Sequence, residues 1–174
     1  WQSLPLQSEL TSEEKGRVTQ GAALALKARV ALFAGTWAKY QQHRSDYQQL
    51  LQQAIDAAQK VVDSKEYALY EGSGDESYRY LFIDAGDDSP EGILDSRYYE
   101  DIRYHGTAHS VYWGWRGTPT KKLADMYRCK STGLPIENAD SEFKGYATIE
   151  SEYENRDPRM KQTFLMPKTI YWSP

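Results

Sequence analysis

Two adjacent stretches with helical periodicity limit what this chain can become. In the second, Tyr47, Leu50, Leu51, Ala54, Ile55, Ala58, Val61 and Val62 recur every three to four residues. That is the spacing of one apolar face on an α-helix. Gln48, Gln49, Gln52, Gln53, Asp56, Gln59, Lys60 and Asp63 occupy the other face, and Ser45 is the expected N-cap. In the first, GRVTQGAALALKARVALFAGTW, Thr19 is placed to cap a run of strong helix formers that extends to about Lys39. Alanines 22, 23, 25, 28, 31 and 34 leave small surfaces around much of this helix, so neighbours can approach on more than one side. Two helices joined by so short a link fold back as an antiparallel hairpin.

Such a pair is the unit of tetratricopeptide-like repeats, and a repeat needs neighbours to bury its second face. Only one pair is visible here, and the chain opens on WQSLPLQSEL without Met. It therefore reads as a piece of a longer protein. The Ala-rich helix is expected to expose apolar surface around Ala23 and Leu24 and to promote self-association.

After Glu66 the texture becomes acidic and rich in breakers, with glycines at 72, 74, 86 and 92 and Pro90. EGILDSRYY reads as a short extended segment, followed by an aromatic loop to Gly117. GTPTKKLADMY opens a helix, with Thr118 the expected N-cap and Pro119 at the first helical position, where its missing N–H costs nothing. Leu123, Met126 and Tyr127 form its expected buried stripe. NRDPRM repeats the device with Asp157 and Pro158, and the tail QTFLMPKTIYWSP looks extended. The fold class expected is mainly α: a helical hairpin over about 16–65 and a loop-rich, ligand-facing part with short strands over about 66–174, in one domain.

Charge and composition exclude several functions. The net charge is −4 and the pI about 5.4, so no basic footprint points to nucleic acid. A mean hydropathy of −0.77 and the lack of long apolar runs exclude a spanning helix. The single cysteine, Cys129, rules out an internal disulfide and any CxxC metal site.

The pieces GRVTQGAALALKARVALFAGTW, YRYLF, EGILDSRYY, GTPTKKLADMYRC, GLPI and SEYENRDPRM, taken in order, resemble the SusD/RagB family of bacterial surface lipoproteins. The resemblance runs from about Gly16 to Met166. It implies a middle segment of a longer, mostly helical protein with tetratricopeptide-like pairs. Such proteins are lipid-anchored on the extracellular face of the outer membrane. They bind glycans and deliver them to a SusC-like TonB-dependent transporter for nutrient uptake, without catalysis or a cofactor. The lipidation cysteine of the family is absent here, since Cys129 lies mid-chain. GTPT and NRDPR read as scaffold: caps, turns and an arginine–carboxylate clamp formed by Arg156 or Arg159.

The residues themselves carry a carbohydrate signature. A pyranose presents a C–H face that lies on an aromatic ring and a hydroxyl rim that needs planar polar partners. Between 98 and 115 stand Tyr98, Tyr99, Tyr104, Tyr112, Trp113 and Trp115, interleaved with Asp101, Arg103, His105 and His109 and followed by Arg116. In an extended YWGW, Trp113 and Trp115 point to one side about 7 Å apart. The candidate ligand residues are Trp115, Trp113, Tyr112, Arg116 and Tyr104; the alternative for the same rings is packing of the loop against the helices. His105 and His109 have metal-ligand spacing but no third partner, and no metal site is expected. Asp84, Asp87, Asp88 and Glu91 lack a calcium-loop pattern and read as a solvated acidic loop. Carboxylates are plentiful, but nothing singles out a glycosidase pair. The alternative function is a helical-repeat docking module that binds the transporter or another protein through the hairpin face bearing Tyr47 and Gln48.

Overall fold

The computed structural model describes residues 1–98, Gly106 and 118–169. They are mainly helical and fall into two compact units. One comprises Trp1–Glu71 and residues 86–98; the other comprises Gly72–Ala85 and residues 118–169. The two units thus interleave along the sequence.

The first unit is built on α1, Gln20–Tyr40, and α2, Tyr47–Ser64. Thr19 caps α1 as expected: its hydroxyl accepts from the Ala22 N–H at 3.2 Å and lies 3.2 Å from the Tyr67 hydroxyl, fully buried. The seam between the helices is made of small residues, Ala31, Gly35 and Ala38 on α1 and Ala54 and Ala57 on α2. A Cβ added at Gly35 would lie 2.8 Å from Leu51 Cδ2, and one at Gly21 would lie 2.1 Å from the Tyr67 hydroxyl. The first and last turns of α1 meet opposite ends of the following helix and its exit, so the hairpin is antiparallel and its backbones approach closely.

Several details depart from the sequence expectation. Asp46, not Ser45, occupies the N-cap of α2 and makes no side-chain cap bond; it pairs instead with Arg44. The buried face of α2 runs through Ala54 and Ala57, while Ile55 and Val62 are exposed because they fall off the seam. On α1, Leu24 is buried rather than exposed and Ala23 half-buried. The exposed apolar surface lies elsewhere, at Leu26, Val30, Phe33, Trp37 and Tyr40, each at least half exposed. Their spacing of four, three, four and three residues makes one stripe, on the side of α1 turned away from α2. Phe33 and Trp37 stack within it, ring centroids 6.0 Å apart.

The first nineteen residues wrap the start of α1, with the Gln20 N–H on Pro5 O and its side-chain amide on Leu4 O. The acidic loop binds the unit together: Asp88 sits between Lys15 and Arg97, and Glu91 accepts from the Tyr70 N–H. The Arg97 guanidinium first, then Lys15, holds the Asp88 carboxyl below its usual range. Among the described residues no cluster of three or more metal-ligating side chains forms. No helix among them is long and apolar enough to cross a membrane. The expected short strands do not form among the described residues, where the only sheet-like pairing described is an isolated antiparallel bridge between Cys129 and Arg156. EGILDSRY is irregular, and Gln162 and Thr163 of the supposedly extended tail are helical.

Candidate functional site

In the second unit the two segments TPTKKLADMY, from Thr118, and NRDPRM fold onto each other. The first forms α4, Lys121–Met126, after the short α3, Ser77–Tyr80. Its cap is Thr120, whose hydroxyl accepts from the Leu123 N–H at 3.2 Å; Thr118 and Pro119 precede the helix. This later start places Lys121 between Asp125 and Glu152, at 2.7 and 3.0 Å, with its ammonium 3.8 Å from the Tyr146 ring centroid. Burial lowers the lysine pKa, but hydrogen bonds to Asp125, Tyr146 and Glu152 outweigh it and raise the pKa above the usual range. The expected stripe is also displaced. Ala124 is the buried residue of α4, whereas Leu123 and Met126 are 40% and 69% exposed.

Arg156 joins the segments. It is 3% exposed, and its guanidinium donates to the carbonyls of Glu152 at 2.8 Å, Ala124 at 2.6 Å and Tyr127 at 2.8 Å. The last two are carbonyls at the C-terminal end of α4, where helical partners run short; Ala124 O also accepts the capping bond from the Tyr127 N–H at 3.3 Å. At Arg156 the clamp is therefore arginine to carbonyl. Main-chain bonds from Lys130 N–H to Asn155 O and from Asp157 N–H to Arg128 O complete the junction around buried Cys129.

Asp157 caps α5, Pro158–Thr163, accepting from the Arg159 N–H at 3.0 Å. The Arg159 side chain returns to the same carboxylate through Nε and Nη2, the latter at 2.6 Å. Arg159 is the largest reason that the Asp157 carboxyl lies below its usual range. Here the expected carboxylate clamp does form. The α3 turn docks on α5 through Gln162, which accepts from the Arg79 N–H and donates to Asp75 O.

These contacts leave a cleft of about 260 Å³ lined by Tyr78, Leu123, Met126, Tyr127, Arg128, Asp157 and Arg159. Both tyrosine rings are half-buried and held edge-on, Tyr78 by Phe82 at 5.3 Å and Tyr127 by Phe164 at 5.8 Å. The Tyr127 hydroxyl bonds Thr163 Oγ1 at 3.0 Å, which fixes its ring. Arg128 donates to Gly133 O at 2.9 Å. The cleft combines aromatic faces, exposed aliphatic carbon and planar donors and acceptors. A second cavity of about 250 Å³, in the first unit, is lined by Trp1, Leu6, Leu24, Lys60 and neighbours and lacks that grouping of arginines with a carboxylate.

Trp115, Trp113, Tyr112, Arg116 and Tyr104, the residues singled out from the sequence, lie outside the described residues, as do His105 and His109. The cleft residues were not singled out for binding, because three segments distant in sequence supply them. Only Asp157 and Arg159 carried a local signal, the DP helix start. Comparison with models of known protein families, with curated proteins and with solved structures returns no match to this chain.

Proposed function

We propose that this chain belongs to a cell-surface glycan-binding protein of the SusD/RagB kind, which captures a polysaccharide or oligosaccharide outside the outer membrane and passes it to a TonB-dependent transporter. The observation that carries this reading is the cleft. The two segments on which the resemblance rests most, GTPTKKLADMY and NRDPRM, come together and bring Tyr127, Arg128, Asp157 and Arg159 to one surface, with Tyr78 beside them. A sugar ring laid against tyrosine buries its C–H face, and its hydroxyls find guanidinium donors and carboxylate acceptors at the rim. Among the described residues the cleft offers one carboxylate, already engaged by Arg159.

Calorimetric titration of the chain with a panel of polysaccharides tests this. A ring stack that removes about 50–80 Å² from water contributes on the order of 1–2 kcal/mol, or about 5- to 30-fold in affinity. Tyr78→Leu is expected to weaken binding by that factor, and so is Trp115→Ala if the aromatic loop extends the platform. Heat signals absent across the whole panel would refute the reading.

The α1 stripe favours a second reading, a module that docks on the transporter or another protein. Five large apolar side chains in a row on one helix are more than scattered surface hydrophobics. A Phe33→Glu/Trp37→Glu variant that binds glycan normally but no longer co-purifies with the transporter would support docking through this face. Unchanged co-purification would count against it.

A further inference from the structure

We propose that the cleft selects a saccharide bearing a carboxylate, a uronic acid unit, with Arg128 as the group that holds the anion. The proposal deepens the glycan-binding reading and rests on it. Its basis is the arrangement of charge in the lining. Two guanidinium groups and one carboxylate border the cleft. Arg159 spends Nε and Nη2 on Asp157, so that pair is internally neutral. Arg128 has no ion pair among the described residues, and its side chain uses a single donor, Nη1 on Gly133 O. A guanidinium carries five N–H donors in a fixed fork, so most of this one remains unspent. Among the other described arginines, Arg17, Arg44 and Arg97 each sit against a carboxylate; what sets Arg128 apart from the rest is its place on the cleft. An uncompensated cation in a cleft of a chain with net charge −4 stands against the overall sign.

Arg128 is also held in place. Its carbonyl accepts from the Asp157 N–H at 2.9 Å, and the Cys129 N–H to Leu134 O and Gly133 N–H to Cys129 O bonds close the turn that carries its side-chain acceptor. Pre-set donors lose little freedom on binding. The residue before it, Tyr127, offers the ring, and the exposed Leu123 and Met126 offer aliphatic carbon. The volume of about 260 Å³ lies just under the roughly 300–1,000 Å³ of drug-sized ligand pockets, which suits one sugar unit rather than several. A single fork matches the two coplanar oxygens of a carboxylate. A tetrahedral sulfate ester has a third oxygen that one fork cannot reach, so the carboxylate is the source assigned.

The test is calorimetric titration of the whole chain, as wild type, Arg128→Gln and Arg128→Lys, with polygalacturonate, its carboxyl-reduced counterpart and dextran sulfate, beside a panel of neutral polysaccharides. Wild type is expected to prefer polygalacturonate over the reduced polymer by about 10- to 100-fold, the range for hydrogen bonds to a charged group. Arg128→Gln should bring the two polymers level, and Arg128→Lys should restore part of the preference, because charge returns without the fork. Thermal melts of both variants should match wild type, since this side chain is exposed and makes one hydrogen bond. Neutral polysaccharides bound as tightly as polygalacturonate would overturn the acid selectivity while leaving glycan binding intact. Dextran sulfate bound in an Arg128-dependent way in place of polygalacturonate would overturn the carboxylate assignment. A preference that survives Arg128→Gln would overturn the role of Arg128. Binding to none of the acidic or neutral polymers would refute the parent reading itself.

Discussion

Arg156→Met gives the sharpest test of how the second unit is held together. Methionine keeps much of the aliphatic stem and removes the guanidinium, which donates to three carbonyls at 2.6–2.8 Å and lies 5.2 Å from the Phe143 ring centroid. A hydrogen bond to a charged group contributes about 1.5–3 kcal/mol net, and carbonyls left buried without partners add their own penalty. The bonds share one side chain and do not sum independently. A loss of about 4 kcal/mol is therefore expected, well above the roughly 1 kcal/mol of an average substitution. The chain supplies its own reporter. Cys129 is its single cysteine, is 1% exposed, and forms the backbone bridge with Arg156. Thiol labelling then proceeds only when this junction opens, so about 4 kcal/mol translates to roughly a thousandfold faster reaction, up to the rate of the chain in denaturant. Arg156→Lys, which keeps the charge but reaches fewer carbonyls, should fall between. Labelling of Arg156→Met within threefold of wild type, or a lysine variant as reactive as methionine, would refute the clamp.

Three further outcomes follow from particular contacts. Gly35→Ala should destabilise the hairpin by about 1–3 kcal/mol in urea unfolding, since the new methyl meets Leu51 at 2.8 Å; on a free helix the same change would stabilise by up to about 1 kcal/mol, so the sign decides. Thr19→Val keeps shape but removes the cap acceptor and should cost about 1–2 kcal/mol, with Thr19→Ser costing less. The Asp157 carboxyl is held below its unfolded value by Arg159, so its stabilisation is complete above the unfolded carboxyl value of about 3.9 and is lost as pH falls through the lower folded value. Asp157→Ala should cost about 1 kcal/mol at neutral pH and flatten the acid limb of the stability curve measured by circular dichroism.

What could be read in advance was what neighbours in sequence decide. The hairpin followed from helical periodicity, and the caps at Thr19 and Asp157 bond amides two or three residues on, so local chemistry sufficed. Thr118 and Thr120 flank the same proline and both satisfy the cap rule. The choice of Thr120 sets Lys121 against Glu152, thirty-one residues away, and no local pattern encodes that. Of the two arginines expected to offer the carboxylate clamp, Arg159 forms it with Asp157; the acceptors of Arg156 are main-chain carbonyls, which every residue has and which leave no mark in a sequence. The α1 stripe was hidden by its own helix: with alanines through much of its circumference, small and large apolar residues look alike to a period count. Only the partner α2 shows that the small ones face inward. The cleft, assembled from 78, 123–128 and 157–159, was beyond reach for the same reason.

The interleaving of the two units has a consequence for synthesis of the chain. The first unit holds all its described parts once residue 98 has left the ribosome, whereas residues 72–85 belong with a partner not yet made. The bond from Gln162 to Asp75 spans 87 residues. At roughly 5–20 residues per second the early strip waits about 4–17 s for it. Through that interval Tyr80, Phe82 and Ile83, partly exposed even after folding, lack the α5 segment that the strip docks on in the finished unit. A nascent-chain chaperone has its opening there, and pausing of translation after residue 98 would lengthen it.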